Sequence, residues 1–192
     1  MKTGRLGTKQ ITIMAILLAL SIVSQIFKNI SVFITGPIIN ACIILAVLSL
    51  NIWCGLILSI ITPVTAYFIA ASPVMMAVPA IVPFIMAGNA VLAISVHFLL
   101  KKDICARGKA ACCVKNYLLA LLCAFLKAAF MGLTISLWLL PTFIPAESPM
   151  RCKLSVLQST FSLVQFATAA IGFVIVFILI SRTPIITAEE RN

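Results

Sequence analysis

Long, uninterrupted apolar runs constrain this chain more than any other feature. A run of about 17 to 25 residues is what a helix needs to cross roughly 30 Å of hydrocarbon. Such runs place six spans near residues 11–27, 36–50, 53–70, 79–100, 114–140 and 155–181. Lipid offers no hydrogen-bond partners, so a spanning segment must satisfy its own backbone as a helix or as part of a closed barrel. The runs are continuously apolar and do not alternate with period two, which argues against the barrel. The expected fold is therefore all-α: one membrane domain over residues 1–192, built as a single bundle of six transmembrane helices. Composition agrees, because a chain that is 63% hydrophobic and 9% charged cannot cover a water-facing surface.

The net charge of +10 raises the question of a nucleic-acid partner. The positions of the cations answer it, since they flank the apolar runs. Lys2, Arg5 and Lys9 precede the first run, and Lys101, Lys102, Arg107, Lys109 and Lys115 crowd one mid-chain connection. With the start inside and an even number of spans, both termini are cytoplasmic. Ten lysines and arginines then fall on the inside, the others being Arg182 and Arg191, against Lys28, Arg151 and Lys153 outside. That asymmetry is the positive-inside pattern of a multi-pass protein of the cell membrane. The basic residues answer to lipid headgroups, not to nucleic acid. The N-terminal run is long and lacks a small-residue cleavage site after it, so it is expected to remain as the first span.

Proline and glycine mark the outer rim. Gly36-Pro37 is expected to open span two, Pro79 and Pro83 to open span four, and Pro141, Pro145 and Pro149 to stiffen the fifth connection. Spans two and three are joined only by Asn51-Ile52-Trp53, which predicts a tight helical hairpin. Residues 71–78 are apolar yet lie outside, which suits a lid over a pocket mouth or a loop resting on the membrane surface. Trp53 and Trp138 sit near span ends, where indoles anchor at the interface. Seven cysteines show no CxxC pairing with histidines and read mostly as small apolar fillers. The one histidine, His97, reads as an interfacial imidazole and cannot by itself build a zinc site. Neither a metal nor another cofactor is implied.

The sharpest signal is Lys127, half way along span five in Cys123-Ala124-Phe125-Leu126-Lys127-Ala128-Ala129-Phe130. An ammonium at that depth costs about 3 kcal/mol on insertion scales, so it faces a partner, faces a watery cavity, or snorkels to an interface. No aspartate or glutamate falls inside any of the six runs. An anionic ligand group is then the natural counter-ion. Asn89 and Gln165 lie at compatible depth, with Asn40, Thr62 and Gln158 nearer the span ends. Asn and Gln can donate and accept, as a pocket requires, although interhelical hydrogen bonding explains each of them singly. Lys127, Asn89, Gln165, Asn40 and Gln158 are the candidate substrate-binding residues. In span one, Ala15 and Ala19 put two small side chains one turn apart, where another helix can approach closely or where the chain's own helices pack.

Six spans, about 190 residues, a basic inner connection and the small-xxx-small first helix together resemble the substrate-specific S components of energy-coupling-factor (ECF) vitamin transporters. Local likeness lies in Thr35-Gly36-Pro37-Ile38-Ile39-Asn40-Ala41, in Gly88-Asn89-Ala90 and in mid-span Lys127. The resemblance implies an import subunit that is not an enzyme and binds its solute in the outer half of the bundle. It implies closure by residues 28–35 and 71–78, and a coupling transmembrane subunit docked on Ala15 and Ala19. It also implies two ATPase subunits as partners, since the chain carries no GxxxxGK[ST] nucleotide loop of its own. A pocket with a lysine and no carboxylate suits a small acid such as pantothenate better than a cation such as thiamine. The alternatives from other classes are a structural scaffold of a cell-wall assembly complex, in which Lys127 pairs with a partner, and a membrane enzyme. The enzyme reading suffers from having one buried titratable group, and a proton-driven carrier from having no intramembrane acid.

Overall fold

The computed structural model describes residues 7–27, 31–100, 114–145 and 147–182; residues 101–113, which hold most of the basic connection, lie outside the described residues. The described chain is all-helical. Helix α1 spans Thr8–Ile26, α2 Val32–Ser49, α3 Ile52–Ala70, the short α4 Pro73–Ala77, and α5 Ile81–Leu99. Helix α6, Val114–Met131, runs on through a π-helical segment, Gly132–Leu139, into α7, Leu140–Phe143. A 3₁₀ turn, Arg151–Lys153, leads into α8, Leu154–Phe161, and α9, Leu163–Arg182, completes the order. Six of these helical stretches are long and apolar enough to cross a membrane. Their outward faces carry exposed Ile16, Phe68, Phe98, Leu118, Leu133 and Leu163, an apolar perimeter that water would not tolerate.

Helix α2 is the hub, packing against α1, α3, α5 and α9. Over half of its apolar window is buried, 56%, against 22% for α1, so α1 is the most peripheral of the spans. Small residues allow the closeness. A Cβ on Gly172 of α9 would stand 2.9 Å from the Asn40 Cβ and 3.2 Å from the Ala41 amide nitrogen and the Pro37 carbonyl oxygen. A Cβ on Gly36 would stand 2.8 Å from a Thr168 methyl. Glycines at both points let α2 and α9 run almost backbone to backbone, the packing that membrane helices use where no hydrophobic force drives them together.

Three boundaries differ from the sequence expectation. Span two does not open at Gly36-Pro37. It starts at Val32, where the extended Ser31 accepts a hydrogen bond from the Phe33 amide at 3.1 Å and caps the helix, so Pro37 lies inside it. Residues 32–35 of the expected outer connection 28–35 are thus helix, and 28–30 fall outside the described residues. Span five is not a plain α-helix, because Gly132–Leu139 is π-wound over eight residues, a geometry that is rare and mostly confined to single turns. Span six is broken at Ser162, whose φ −119° and ψ −82° interrupt the helical path between α8 and α9. The last two irregularities face each other: a Cβ on Gly132 would meet the Ser162 Cβ at 3.3 Å. The expected hairpin after span two is present, with the Asn51 side chain accepting from the Cys54 amide at 2.9 Å.

Candidate functional site

Lys127 points inward and is 2% exposed. Its Nζ donates to Oδ1 of Asn40 on α2 at 2.6 Å and to Oδ1 of Asn89 on α5 at 2.8 Å. Three helices therefore meet at one ammonium. Asn40 is held in turn, its Nδ2 reaching Thr168 Oγ1 of α9 at 3.5 Å, while Thr168 donates to the Gln165 carbonyl at 3.2 Å. Asn89 sits one residue after Gly88, where a Cβ would lie 2.6 Å from the Met131 Cγ, so the glycine lets α5 close on α6 and brings the amide to the lysine. Amide oxygens solvate the charge but do not neutralise it. The chain has four acidic residues, Asp103, Glu147, Glu189 and Glu190, and none belongs to a span.

Beside this cluster lies a cavity of about 230 Å³. Asn40, Asn89, Lys127 and Gln165 all line it, at the end nearest the middle of the helices. Its walls continue along Val32, Thr35 and Ile39 of α2, Thr62, Pro63 and Ala66 of α3, and Leu157, Thr160 and Phe161 of α8. Ser72, Val74 and Met75, from the connection carrying α4, cover it, with Val74 and Met75 buried and Met76 67% exposed. The apolar segment 71–78 is therefore a helical turn that turns two side chains inward over the cavity. These residues come from the middle of the helices and from the halves away from Leu100 and Val114, the described residues that flank the basic connection. The volume is slightly below the roughly 300–1,000 Å³ of drug-sized sites and matches a compact metabolite.

Of the five candidate binding residues, four converge as a group. Gln158 does not. It lies on α8 and forms a reciprocal pair with the π-helical segment: Gln158 Nε2 donates to the Ser136 carbonyl at 2.9 Å, and Ser136 Oγ donates to the Gln158 carbonyl at 2.8 Å. The break at Ser162 and the widened π turn create this clasp, which aims Gln158 at the flank of span five instead of the cavity. Sequence depth alone misses that, since it assumes straight helices. It also underrates Asn40, placed nearer a span end when span two was expected to begin four residues later. Thr168 was missed altogether. The available signal was its spacing, three residues after Gln165 and therefore on the same helix face.

Ala15 and Ala19 are both exposed on α1, beside exposed Ile16, Leu20 and Val23. Neither is buried against the other described helices. Cys42, Cys54 and Cys123 are buried in the main core and Cys152 is exposed, while Cys105, Cys112 and Cys113 lie outside the described residues. Among the described residues no cluster of His, Cys, Asp and Glu could hold a metal ion. No family model matches the chain, and no curated protein or solved structure shows a significant similarity to it.

Proposed function

We propose that the chain is the membrane-embedded, solute-capturing subunit of an ATP-driven importer of the ECF type, a six-span bundle in the cell membrane with both termini cytoplasmic. The observation that carries this reading is the uncompensated Lys127 ammonium beside a ligand-sized cavity. A charge that no side chain of the spans can neutralise, at the floor of a space bounded by α4, is suited to capturing a small vitamin-like acid. Pantothenate and similar acids fit the sign of the charge. The distribution of lysines and arginines supports an orientation with the covered end of the cavity outside, from where the solute would reach it. A structural scaffold needs no such cavity.

The test is thermal unfolding of the purified protein against a panel of vitamins and their precursors. A ligand that binds only the folded state at about 100 times its Kd adds about 2.7 kcal/mol of stability. Acids from the panel are expected to stabilise and the cation thiamine is not. If no acid stabilises the protein, the capture reading fails.

Energy coupling would fall to other chains: a transmembrane coupling subunit and two ATPases. The exposed Ala15 and Ala19 on the peripheral helix α1 support docking of that subunit there. Ala15→Trp, which touches nothing in the cavity, is expected to abolish uptake in cells while leaving solute binding by the purified protein unchanged. Loss of both together would refute the division of labour between α1 and the cavity.

A further inference from the structure

The cavity's polar groups are unequally committed, and that inequality bears on the shape of its occupant. Three threonines on the wall have already spent their only protons on backbone. Thr35 Oγ1 donates to the Ser24 carbonyl at 3.0 Å, Thr62 Oγ1 to the Leu58 carbonyl at 2.8 Å, and Thr160 Oγ1 to the Val156 carbonyl at 2.8 Å. A hydroxyl has one donor, so these offer an occupant at most an acceptor. The remaining wall is chiefly aliphatic and aromatic, with Val74, Met75, Leu157 and Phe161 gathered towards the covered end. Apart from the Ser72 hydroxyl at the covered end, the donors are concentrated at the opposite end. An ammonium has three protons, of which two go to Asn40 and Asn89, leaving one uncommitted among the described residues, with Gln165 nearby.

We infer that the occupant is an amphiphilic monoanion, seated with its single charged group at Lys127 and an otherwise apolar body extending beneath α4 and against α8. This rests on the capture reading above and narrows it. A polyhydroxylated acid would bring more hydroxyls than the three threonine oxygens can accept, and each surplus hydroxyl left unpaired would cost about 1–3 kcal/mol. A second carboxylate would lie among Val74, Met75 and Phe161 with no cation there and only the Ser72 hydroxyl to donate to it.

Thermal unfolding in lipid nanodiscs tests this with four probes of known chemistry: octanoate, octylamine, suberate and gluconate. Octanoate is expected to raise the melting temperature of the parent protein, and octylamine, suberate and gluconate are not. Lys127→Met is expected to remove the octanoate shift. Should that variant fail to fold, Leu157→Gln, at a half-buried wall position, provides a second arm: it should shrink the octanoate shift and enlarge that of gluconate. Gluconate or suberate stabilising the parent more than octanoate, in a Lys127-dependent way, would overturn the amphiphile while leaving anion capture intact. Equal shifts from octanoate and octylamine that survive Lys127→Met would overturn both readings, as would the absence of any shift with all three anions.

Discussion

Lys127→Met is expected to weaken binding of the captured acid by about 30-fold or more, the equivalent of about 2 kcal/mol for truncating one side of a buried charge pair. The substitution keeps the length and apolar stem of the side chain and removes only the charge. Two terms oppose each other in the empty protein. Removing an ammonium from mid-membrane relieves about 3 kcal/mol on insertion scales. The Asn40 and Asn89 oxygens, now without their donor at 2.6 and 2.8 Å, cost about 1–3 kcal/mol each. These sums nearly balance, so the melting temperature without ligand is expected to stay close to that of the parent. Isothermal titration with an acid found in the panel, together with unfolding of the empty protein, separates the effects. Unchanged affinity in a well-folded Lys127→Met protein would remove the lysine from recognition, and the scaffold reading would gain.

The second large effect is expected at Gly172, which never touches the ligand. Its missing Cβ leaves room for the Asn40 Cβ and for the backbone of Pro37 and Ala41, at 2.9 to 3.2 Å from where that atom would sit. Backbone cannot rotate away as a flexible side-chain tip can. Gly172→Val should therefore destabilise the protein by about 3 kcal/mol and push α2 from α9, taking Asn40 off the Lys127 ammonium. Gly132→Ala, which meets Ser162 no nearer than its Cβ at 3.3 Å, is the milder comparison, and Gly7→Ala, with nothing within 4 Å, should be silent. Denaturation of the three variants checks the order. If Gly172→Val is as stable as Gly7→Ala, the tight α2–α9 contact does not hold the site together.

The chain's relation to lipid was legible from residue order, because run length and the absence of charge are local properties that a bilayer reads directly. The six long apolar helices, their approximate places and the isolation of Lys127 all follow from that. That Ala15 and Ala19 share one helix face also followed from their spacing, but not that this face is exposed, since the same spacing suits internal packing. What the sequence did not contain in readable form was everything that depends on how helices deviate and on how near they come. Pro37 looked like a helix start because proline favours the first turn, but the Ser31 cap a turn earlier decided the boundary. The π-wound segment and the Ser162 break answer to each other across two spans, so neither could be assigned from its own sequence, and together they carried Gln158 away from the cavity. The Asn40–Lys127–Asn89 cluster joins residues 87 and 38 positions apart. Only tertiary packing, with Gly172 against α2 and Gly88 against Met131, brings those side chains within hydrogen-bond distance. The reason is physical: hydrophobicity is summed along one helix, whereas a polar site in lipid exists only where several backbones approach closely enough to share one charge.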